Sequence, residues 1–276
     1  MAVLTPPVLA RPMSAAKKKR TVNSIIYAYP GAGKTTLAAT APGPRLWLPW
    51  DPSGLQVVDW DDSENLLPLD PLTQEPIDHF DCTKRKSWPL FLSVLESLEA
   101  AGAALPEVCR TVILDTGTFA AKGCDKYLLS QEGSDRRVHP DVMSRGDYGL
   151  HAGMVSDMLA RLCSLPANVV VNAHVTEKTW DGESGESRQM EMPNFGGRKV
   201  PAEAPGMFDL VGFLLVVPTD NVERSTVNGA RVLQTEHGDG RIAKVRTRPE
   251  FRLPPRVENP NLSDIFQQVL AGSTPG

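Results

Sequence analysis

The sequence has few cysteines, and they form no pattern that would bind a metal or build a disulfide framework. The four cysteines are far apart in 276 residues, and none belongs to a C-x-x-C pair or has a histidine at ligand spacing. This pattern argues against a zinc site or a small disulfide-stabilised domain and is typical of reduced thiols in a cytoplasm. They are Cys82, Cys109, Cys124 and Cys163.

The chain also lacks the hydrophobic runs of a membrane protein. No run of about 18 apolar residues occurs, and the composition, 41% hydrophobic and 22% charged, is that of an ordinary globular protein. Residues 1–20 contain no apolar core followed by a small-residue cleavage site, so we expect no secretory signal. We therefore expect a cytoplasmic protein with no membrane partner. The length is most simply that of one large domain, with two small domains as the alternative. We expect the domain at residues 21–266 and a loose tail at residues 267–276.

Lysine and arginine are absent from residues 51–81, which carry nine acids. They are concentrated instead in residues 1–20, with five bases and no acid, and in residues 231–256, with seven bases and three acids. A polyanion would therefore meet either basic region rather than the acidic belt. Residues 1–20 show no periodicity and are interpreted as a disordered arm, either a solvated leader or a tail that contacts nucleic acid.

Residues 25–38 predict a phosphate-binding loop, because an apolar strand leads into a glycine turn and a helix start. The glycines let backbone N–H groups face a polyphosphate, to which the helix presents its positive end. The lysine of the motif reaches the β- and γ-phosphates, and Thr35 ligates Mg²⁺. Ala28 replaces the first glycine of G-x-x-x-x-G-K-[ST] and is small enough for a strand exit. The expected nucleotide-binding residues are Tyr29, Pro30, Gly31, Ala32, Gly33, Lys34, Thr35 and Thr36.

The remaining pattern predicts an α/β fold with a mainly parallel sheet flanked by helices. Apolar runs predict buried strands at residues 22–27, 45–48, 111–116, 169–174 and 208–217. Helical spacing predicts helices at residues 88–101, 118–129 and 148–165. Residues 175–205 show no convincing element, and a loop of that length is usually functional or disordered. A C-terminal β-hairpin is predicted to pair residues 231–235 with 242–246.

Polar residues follow four of the predicted strands, at the edge where parallel sheets bind ligands. Asp51, Asp115 and His174 join Lys34 and Thr35 there. Asp115 after four apolar residues is the expected metal-binding acid, although an aspartate at this point can also cap a helix. Asp51 precedes a proline and can equally be a turn residue. His174 can be a phosphate-contacting group or simply a packed side chain.

These motifs in this order resemble the RecA/RadA-type ATPases, in particular short phage proteins that consist of a RecA core alone. The resemblance covers most of residues 21–260, and only the phosphate loop is specific by itself. It is carried by the segments 29–38, 46–55, 112–116, 169–174, 208–213 and 244–248.

The resemblance implies further catalytic roles. A glutamate activates the attacking water in such ATPases, and Asp51 stands at that position with a shorter side chain, which predicts slow hydrolysis. His174 matches a residue that senses the γ-phosphate. Lys244 and Arg246 match cations that reach the next subunit's phosphate, although a solvated basic face or a DNA track is an equal alternative.

The resemblance also implies two loops that line single-stranded DNA. Arg136 and Arg137 would belong to the first loop and residues 175–199 to the second. The segment 175–204 has six acids and four bases, so only Arg198 and Lys199 suit phosphate contacts. Trp180 and Phe195 are candidates for base stacking, or they fold back onto the body of the protein.

The sequence thus predicts a RecA-like P-loop NTPase core that binds ATP and Mg²⁺. The resemblance implies a phage recombination protein of the host cytoplasm that binds single-stranded DNA and promotes annealing or strand pairing. The expected partners are DNA, further copies in a ring or filament, and a single-strand-binding protein. The alternatives are a nucleotide-switched accessory module, such as a helicase loader or packaging factor, and a nucleoside monophosphate kinase.

Overall fold

The computed structural model describes residues 21–59, 61–131, 139, 141–181, 187–217 and 229–273. The N-terminal basic arm, residues 1–20, and the predicted DNA-binding residues Arg136 and Arg137 lie outside these ranges. The strands are β1 (Asn23–Tyr27), β2 (Arg45–Pro49), β3 (Asn65–Leu66), β4 (Thr111–Asp115), β5 (Asn168–Ala173), β6 (Val175–Asp181), β7 (Ser187–Pro193), β8 (Leu210–Val217), β9 (Ala230–Gln234), β10 (Lys244–Val245) and β11 (Arg256–Glu258). The helices are α1 (Lys34–Ala38), α2 (Ser87–Ala101), α3 (Leu105–Val108), α4 (Gly117–Ser130), α5 (Arg145–Ser164), α6 (Lys199–Glu203) and α7 (Leu262–Ser273).

Nine of these strands form one sheet in the order β11-β9-β8-β1-β5-β4-β2-β3, with β10 also paired to β8. The six strands from β8 to β3 are parallel, and β9 and β10 run antiparallel to β8. The predicted α/β fold with a mainly parallel sheet is therefore confirmed. Because β5 lies between β1 and β4, the residues after β5 come between the phosphate loop and Asp115.

Apolar side chains cover both faces of the sheet, which explains why its strands are continuous hydrophobic runs. Ile25 and Tyr27 of β1 pack into one cluster, whereas Ile26 of β1 and Ala28, the residue after the strand, pack into the other. The first cluster includes residues of α2, α4 and α5, and the second includes residues of α1 and α7. Because side chains alternate along a strand, the two buried layers lie on opposite faces of the sheet.

One stretch, Ser87–Val108, is long and apolar enough to cross a membrane by length and composition alone. It comprises α2, a 3₁₀ turn and α3 rather than one continuous helix. Trp88, Phe91 and Leu95 of α2 are buried in the core of the domain. Core helices often meet the same criteria, so this stretch is weak evidence for a membrane span.

Residues 175–205 differ from the sequence-based expectation, because they contain regular elements. Strands β6 and β7 pair as an antiparallel two-stranded sheet, with Val175 opposite Pro193. The short helix α6 follows. Charged and polar residues alternate with few apolar ones in both strands, so the hydrophobic periodicity that identifies strands is weak here.

The predicted C-terminal hairpin is a second correction. Strands β9 and β10 do not pair with each other, because each pairs with its own part of β8. The residues between them turn away toward β7, where Glu191 N–H donates to Gly240 O at 2.7 Å and Ile242 N–H donates to Glu191 O at 3.2 Å. The long edge of β8 therefore accepts two separate segments in place of one hairpin.

The end of the chain is a third correction, because α7 continues through the predicted loose tail as far as Ser273. Leu262, Ile265, Phe266 and Val269 are all buried on one side of this helix. Spacing of three to four residues gives α7 an apolar face, and that face packs into the same cluster as α1. The burial of this face explains why the segment forms a helix and not a loose tail.

Candidate nucleotide-binding site

The phosphate loop connects β1 to α1 with two glycines in left-handed backbone conformations. The φ angles are 80° at Gly31 and 94° at Gly33, a region that residues with a Cβ rarely adopt. Ala28 is buried at the strand exit, and its N–H donates to Ala173 O at 3.2 Å. Ala28 needs no positive φ, which is why alanine can replace the first glycine of the motif.

Lys34 is buried, with 7% of its surface exposed. Its ammonium donates long hydrogen bonds of 3.3 Å to the carbonyl oxygens of Ala28 and Tyr29. Burial lowers the pKa of Lys34, while the charges of Asp115 and Asp51 raise it. The ammonium is thus held over the loop by weak partners and can exchange them for a phosphate.

Asp115 at the end of β4 is bound by two neighbours. The Thr35 hydroxyl donates to Asp115 Oδ2 at 2.7 Å, and the Asn172 amide donates to Asp115 Oδ1 at 3.1 Å. Burial raises the pKa of Asp115 against the lowering effect of these bonds. The helix-cap alternative is wrong, because Thr116 is the N-cap of α4 and accepts from Phe119 N–H.

Thr35 and Asp115 fit a Mg²⁺ ion. Both offer oxygen atoms, the ligands that Mg²⁺ prefers, and they already lie within hydrogen-bond distance of each other. The described residues contain no cluster of three His, Cys, Asp or Glu side chains that could form a full metal cage. A cation held by one hydroxyl and one carboxylate, with phosphate and water as its other ligands, is the usual form of a Mg²⁺–nucleotide site.

Asp51 lies at the same edge as Asp115. Its N–H donates to Asp115 O at 3.0 Å, while its Oδ1 accepts from Ser53 N–H at 3.0 Å in a tight turn. The backbone also approaches closely at Gly54, where a Cβ would lie 3.0 Å from Asp115 Oδ2 and 3.5 Å from Thr35 Oγ1. Asp51 is therefore a turn residue, and the turn holds it beside Thr35 and Asp115, the predicted metal ligands.

His174 is the residue between β5 and β6. Its backbone N–H donates to Thr118 Oγ1 at 2.9 Å, and its ring packs edge-on against Phe119 at 5.3 Å. Burial lowers the pKa of His174, and the charge of Lys34 lowers it further. Both effects favour the neutral imidazole, and the second reflects the proximity of the ring to the Lys34 ammonium.

Lys244 and Arg246 are not brought to this site. Lys244 on β10 pairs with Val211, which is level with Ile25 in the middle of β1. Arg246 donates to the Gly206 carbonyl oxygen. Arg246 therefore lies at the opposite end of β1 from the phosphate loop, whereas Lys244 lies level with the middle of that strand.

Arg198 and Lys199 are exposed at the start of α6. They line a groove of about 610 Å³ together with Tyr148 of α5. Phe195 is fully buried and cannot stack on a base, because it packs beside Gly117, where a Cβ would lie 2.7 Å from the ring. Trp180 belongs to β6, and its side chain lies outside the described part of the structure.

The sequence reasoning missed Arg231, which lies beside the phosphate loop. A Cβ on Gly33 would be 2.5 Å from Arg231 Nε. The residue belongs to a basic region of the sequence, but nothing in the local pattern indicates that β9 would return to the end of β8. Only the pairing of Arg231 with Val216 brings it to this edge.

The parallel sheet, the phosphate loop and the paired Thr35 and Asp115 define a P-loop NTPase. Residues 20–247 match the AAA domain family AAA_24, and the chain belongs to this family. Membership in this family indicates nucleotide binding, usually with Mg²⁺. No significant match was found among curated proteins.

Proposed function

We propose that the protein is a Mg²⁺- and ATP-dependent phage recombination protein that binds single-stranded DNA and promotes annealing or strand pairing. The observation that carries this proposal is the direct connection from the nucleotide edge to a basic groove. Strand β5 ends beside Asp115 and continues through His174 into the β6–β7 hairpin. The chain after β7 then leads to Arg198 and Lys199.

The charges and the exposed aromatic ring of the groove support single-strand binding. Lys178 Nζ donates to Gly197 O at 2.6 Å, and its pKa is lowered by burial and by the charge of Arg198. Three cations thus lie near one another, while Tyr148 presents an exposed ring in the same groove. Cations that contact phosphates beside an aromatic ring that stacks on bases are the usual elements of such surfaces.

Fluorescence anisotropy with a labelled single strand, with and without ATP, tests the proposal. Arg198→Ala/Lys199→Ala should weaken binding and reduce the salt slope by about 0.7 for each phosphate that is no longer neutralised. Lys84 and Arg85 are also exposed and consecutive in sequence, but they lie outside this groove. Lys84→Ala/Arg85→Ala is therefore the matched control. Equal effects of the two double variants, or no DNA binding by the unaltered protein, would contradict the proposal.

Nucleotide binding itself is tested with Lys34→Ala. We expect ATP affinity to be nearly abolished while the circular dichroism spectrum is unchanged, because the lysine makes only two long hydrogen bonds to its own loop within the described structure. Full ATP affinity in the variant would remove the role assigned to the phosphate loop. Deleting residues 1–20 tests the basic arm separately, since an unchanged salt slope of DNA binding would make that arm a spectator.

Self-association into a ring or filament is part of the proposal. Lys244 lies level with the middle of β1 and Arg246 with its start, away from the strand end that carries their own phosphate loop. A phosphate that both contact would therefore belong to another copy. The proposed setting is the bacterial host cytoplasm, where a single-strand-binding protein is a further candidate partner.

A second candidate is a nucleotide-switched accessory module, such as a helicase loader or packaging factor. It is favoured by Asp51, which is shorter than the expected glutamate and has its Oδ1 engaged by Ser53 N–H. Nucleotide-dependent binding without turnover would support this candidate. The kinase alternative needs an arginine-rich lid, for which the candidate residues 135–137 lie outside the described structure, and a kinase should not bind DNA.

A further inference from the structure

Arg231 on β9 is level with the phosphate loop. It pairs with Val216 of β8, beyond the point where Phe213 of β8 pairs with Tyr27 at the end of β1. Its side chain reaches across to Gly33, where a Cβ would lie 2.5 Å from Arg231 Nε and 3.4 Å from Cζ. The guanidinium therefore lies against the backbone of the residue that precedes Lys34.

The Nε atom of Arg231 is buried and has no hydrogen-bond partner among the described residues. No ion pair of Arg231 occurs within the described ranges. Four other arginines of residues 231–256 do pair with carboxylates: Arg241 with Glu191, Arg248 with Glu250, Arg252 with Glu236 and Arg256 with Asp239. A buried donor on a cation is costly when it lacks an acceptor, so a partner of opposite charge is expected here.

We propose that Arg231 binds the α- and β-phosphates of the nucleotide and is supplied by the same chain as the phosphate loop. The inference rests on nucleotide binding at that loop. The backbone of a P-loop holds the α- and β-phosphates, whereas its lysine reaches the β- and γ-phosphates. Arg231 lies against the backbone at Gly33, so we assign it to the α- and β-phosphates. Its planar guanidinium group suits phosphate oxygens.

The same contact explains why position 33 requires glycine. A residue with a side chain at position 33 would have a strained left-handed backbone conformation. Its Cβ would also displace the Arg231 guanidinium. The glycine therefore leaves room for the phosphate and for the cation together.

The test uses Arg231→Ala, with Arg256→Ala as the control. Arg256 lies on the neighbouring strand β11, and its side chain is exposed and paired with Asp239. Affinities for fluorescent ATP and ADP analogues should fall about tenfold to a hundredfold in Arg231→Ala, as expected for a charged hydrogen bond. The decrease should be equal for ATP and ADP, because both carry the α- and β-phosphates, and Arg256→Ala should change neither.

Thermal denaturation separates binding from a structural role. Without nucleotide, Arg231→Ala should melt at the same temperature as the unaltered protein or higher, because Arg231 Nε has no partner among the described residues. The rise in melting temperature on adding ADP should shrink, since stabilisation by a ligand follows its affinity. Arg231→Lys keeps the charge but removes the planar fork, so its affinity should be intermediate.

Several results would overturn the proposal. Normal nucleotide binding by both the unaltered protein and Arg231→Ala would remove the role of Arg231 and leave the proposed function intact. A decrease confined to ATP would place the arginine on the γ-phosphate instead. A lower melting temperature without nucleotide, together with full affinity in Arg231→Gln, would make the residue structural. No nucleotide binding by the unaltered protein would end both proposals.

Discussion

The hydroxyl of Tyr29 in the phosphate loop donates a 2.7 Å hydrogen bond to the Glu191 carboxylate on β7. Glu177 on β6 lies 3.1 Å from the same hydroxyl, so both strands of the hairpin contact one residue of the loop. The hydrogen bond with Glu191 is the largest of the effects that raise the pKa of Tyr29. The other Glu191 oxygen pairs with Arg241 Nε at 2.6 Å. One hydroxyl therefore joins the phosphate loop to the hairpin.

Tyr29→Phe should uncouple the hairpin from the nucleotide. Removing the hydroxyl leaves two carboxylates facing each other without a donor between them, so the hairpin should move more freely. ATP affinity should change by less than about threefold, because an exposed hydrogen bond contributes little. The effect of ATP on single-strand affinity, measured by anisotropy, should fall strongly, and amide exchange in β6 and β7 should accelerate.

Tyr127→Phe on α4 is the matched control for this prediction, since it removes a hydroxyl that is not in the phosphate loop. If Tyr29→Phe keeps the full effect of ATP on DNA affinity, the hydroxyl does not transmit the state of the site.

Asp115→Asn should weaken Mg²⁺-dependent nucleotide binding by about tenfold or more, because removal of groups around a metal commonly costs that much. The same change should leave the nucleotide-free protein as stable as before, or a few degrees more stable, near pH 7. Burial raises the folded-state pKa of Asp115, so the folded protein binds this proton more tightly than the unfolded chain does.

The stability contribution of Asp115 therefore falls as pH rises from the ordinary carboxyl range through the raised folded pKa. The advantage of Asp115→Asn should accordingly shrink as pH is lowered toward about 4. Melting temperatures of both proteins, recorded across this pH range in EDTA, check the sign. A variant that is less stable at pH 7 would mean that the bonds from Thr35 and Asn172 outweigh the cost of burial.

Asp51→Glu should leave ATP affinity unchanged and raise steady-state hydrolysis by about tenfold or more. The longer side chain extends further toward the site, and a misplacement of about 1 Å can cost on the order of 100-fold. Asp51→Asn keeps the length and can still accept from Ser53 N–H, so it separates the turn role from the carboxylate role. Lower hydrolysis in Asp51→Glu would show that aspartate already has the optimal length.

Mixing two impaired proteins tests a shared site between copies. Lys244→Ala/Arg246→Ala and Lys34→Ala should each lack ATPase activity, and the mixture should recover part of it. A mixed interface joins an intact loop to intact cations, and a cation supplied in trans can contribute about 10³–10⁵ in rate. Lys34→Ala mixed with Asp115→Asn is the control, because both changes lie in the same half of the site. No recovery in oligomers verified by light scattering would refute the shared site.

The apolar strands and the glycine turn could be predicted because their signals are local. Residues such as Val169, Val170 and Val171 form a short hydrophobic run, which is typical of a strand buried on both faces. The phosphate loop specifies its own geometry through Gly31 and Gly33, independently of the rest of the chain. The apolar run before Asp115 likewise predicted its place at the end of a strand, and the structure brings its carboxylate within 2.7 Å of the Thr35 hydroxyl.

The elements that were missed depend on partners distant in the sequence. The hairpin strands β6 and β7 carry little apolar periodicity, and contacts such as that of Glu191 with Tyr29 fix them in place. Arg231 gained its position only from the pairing of β9 with β8. Neither contact is encoded in the spacing of neighbouring residues, so no local pattern could reveal it.

His174 is the only residue between β5 and β6, and this short connection constrains the position of the hairpin. A one-residue connection gives the hairpin no slack, and Asn194 N–H closes its base by donating to His174 O at 2.8 Å. Strand faces alternate with every residue, so one inserted or deleted residue here would turn Glu177 away from the phosphate loop. Chain length at this junction is therefore as restrictive as residue identity, and relatives that use the same contact should differ in hairpin length only at its far end.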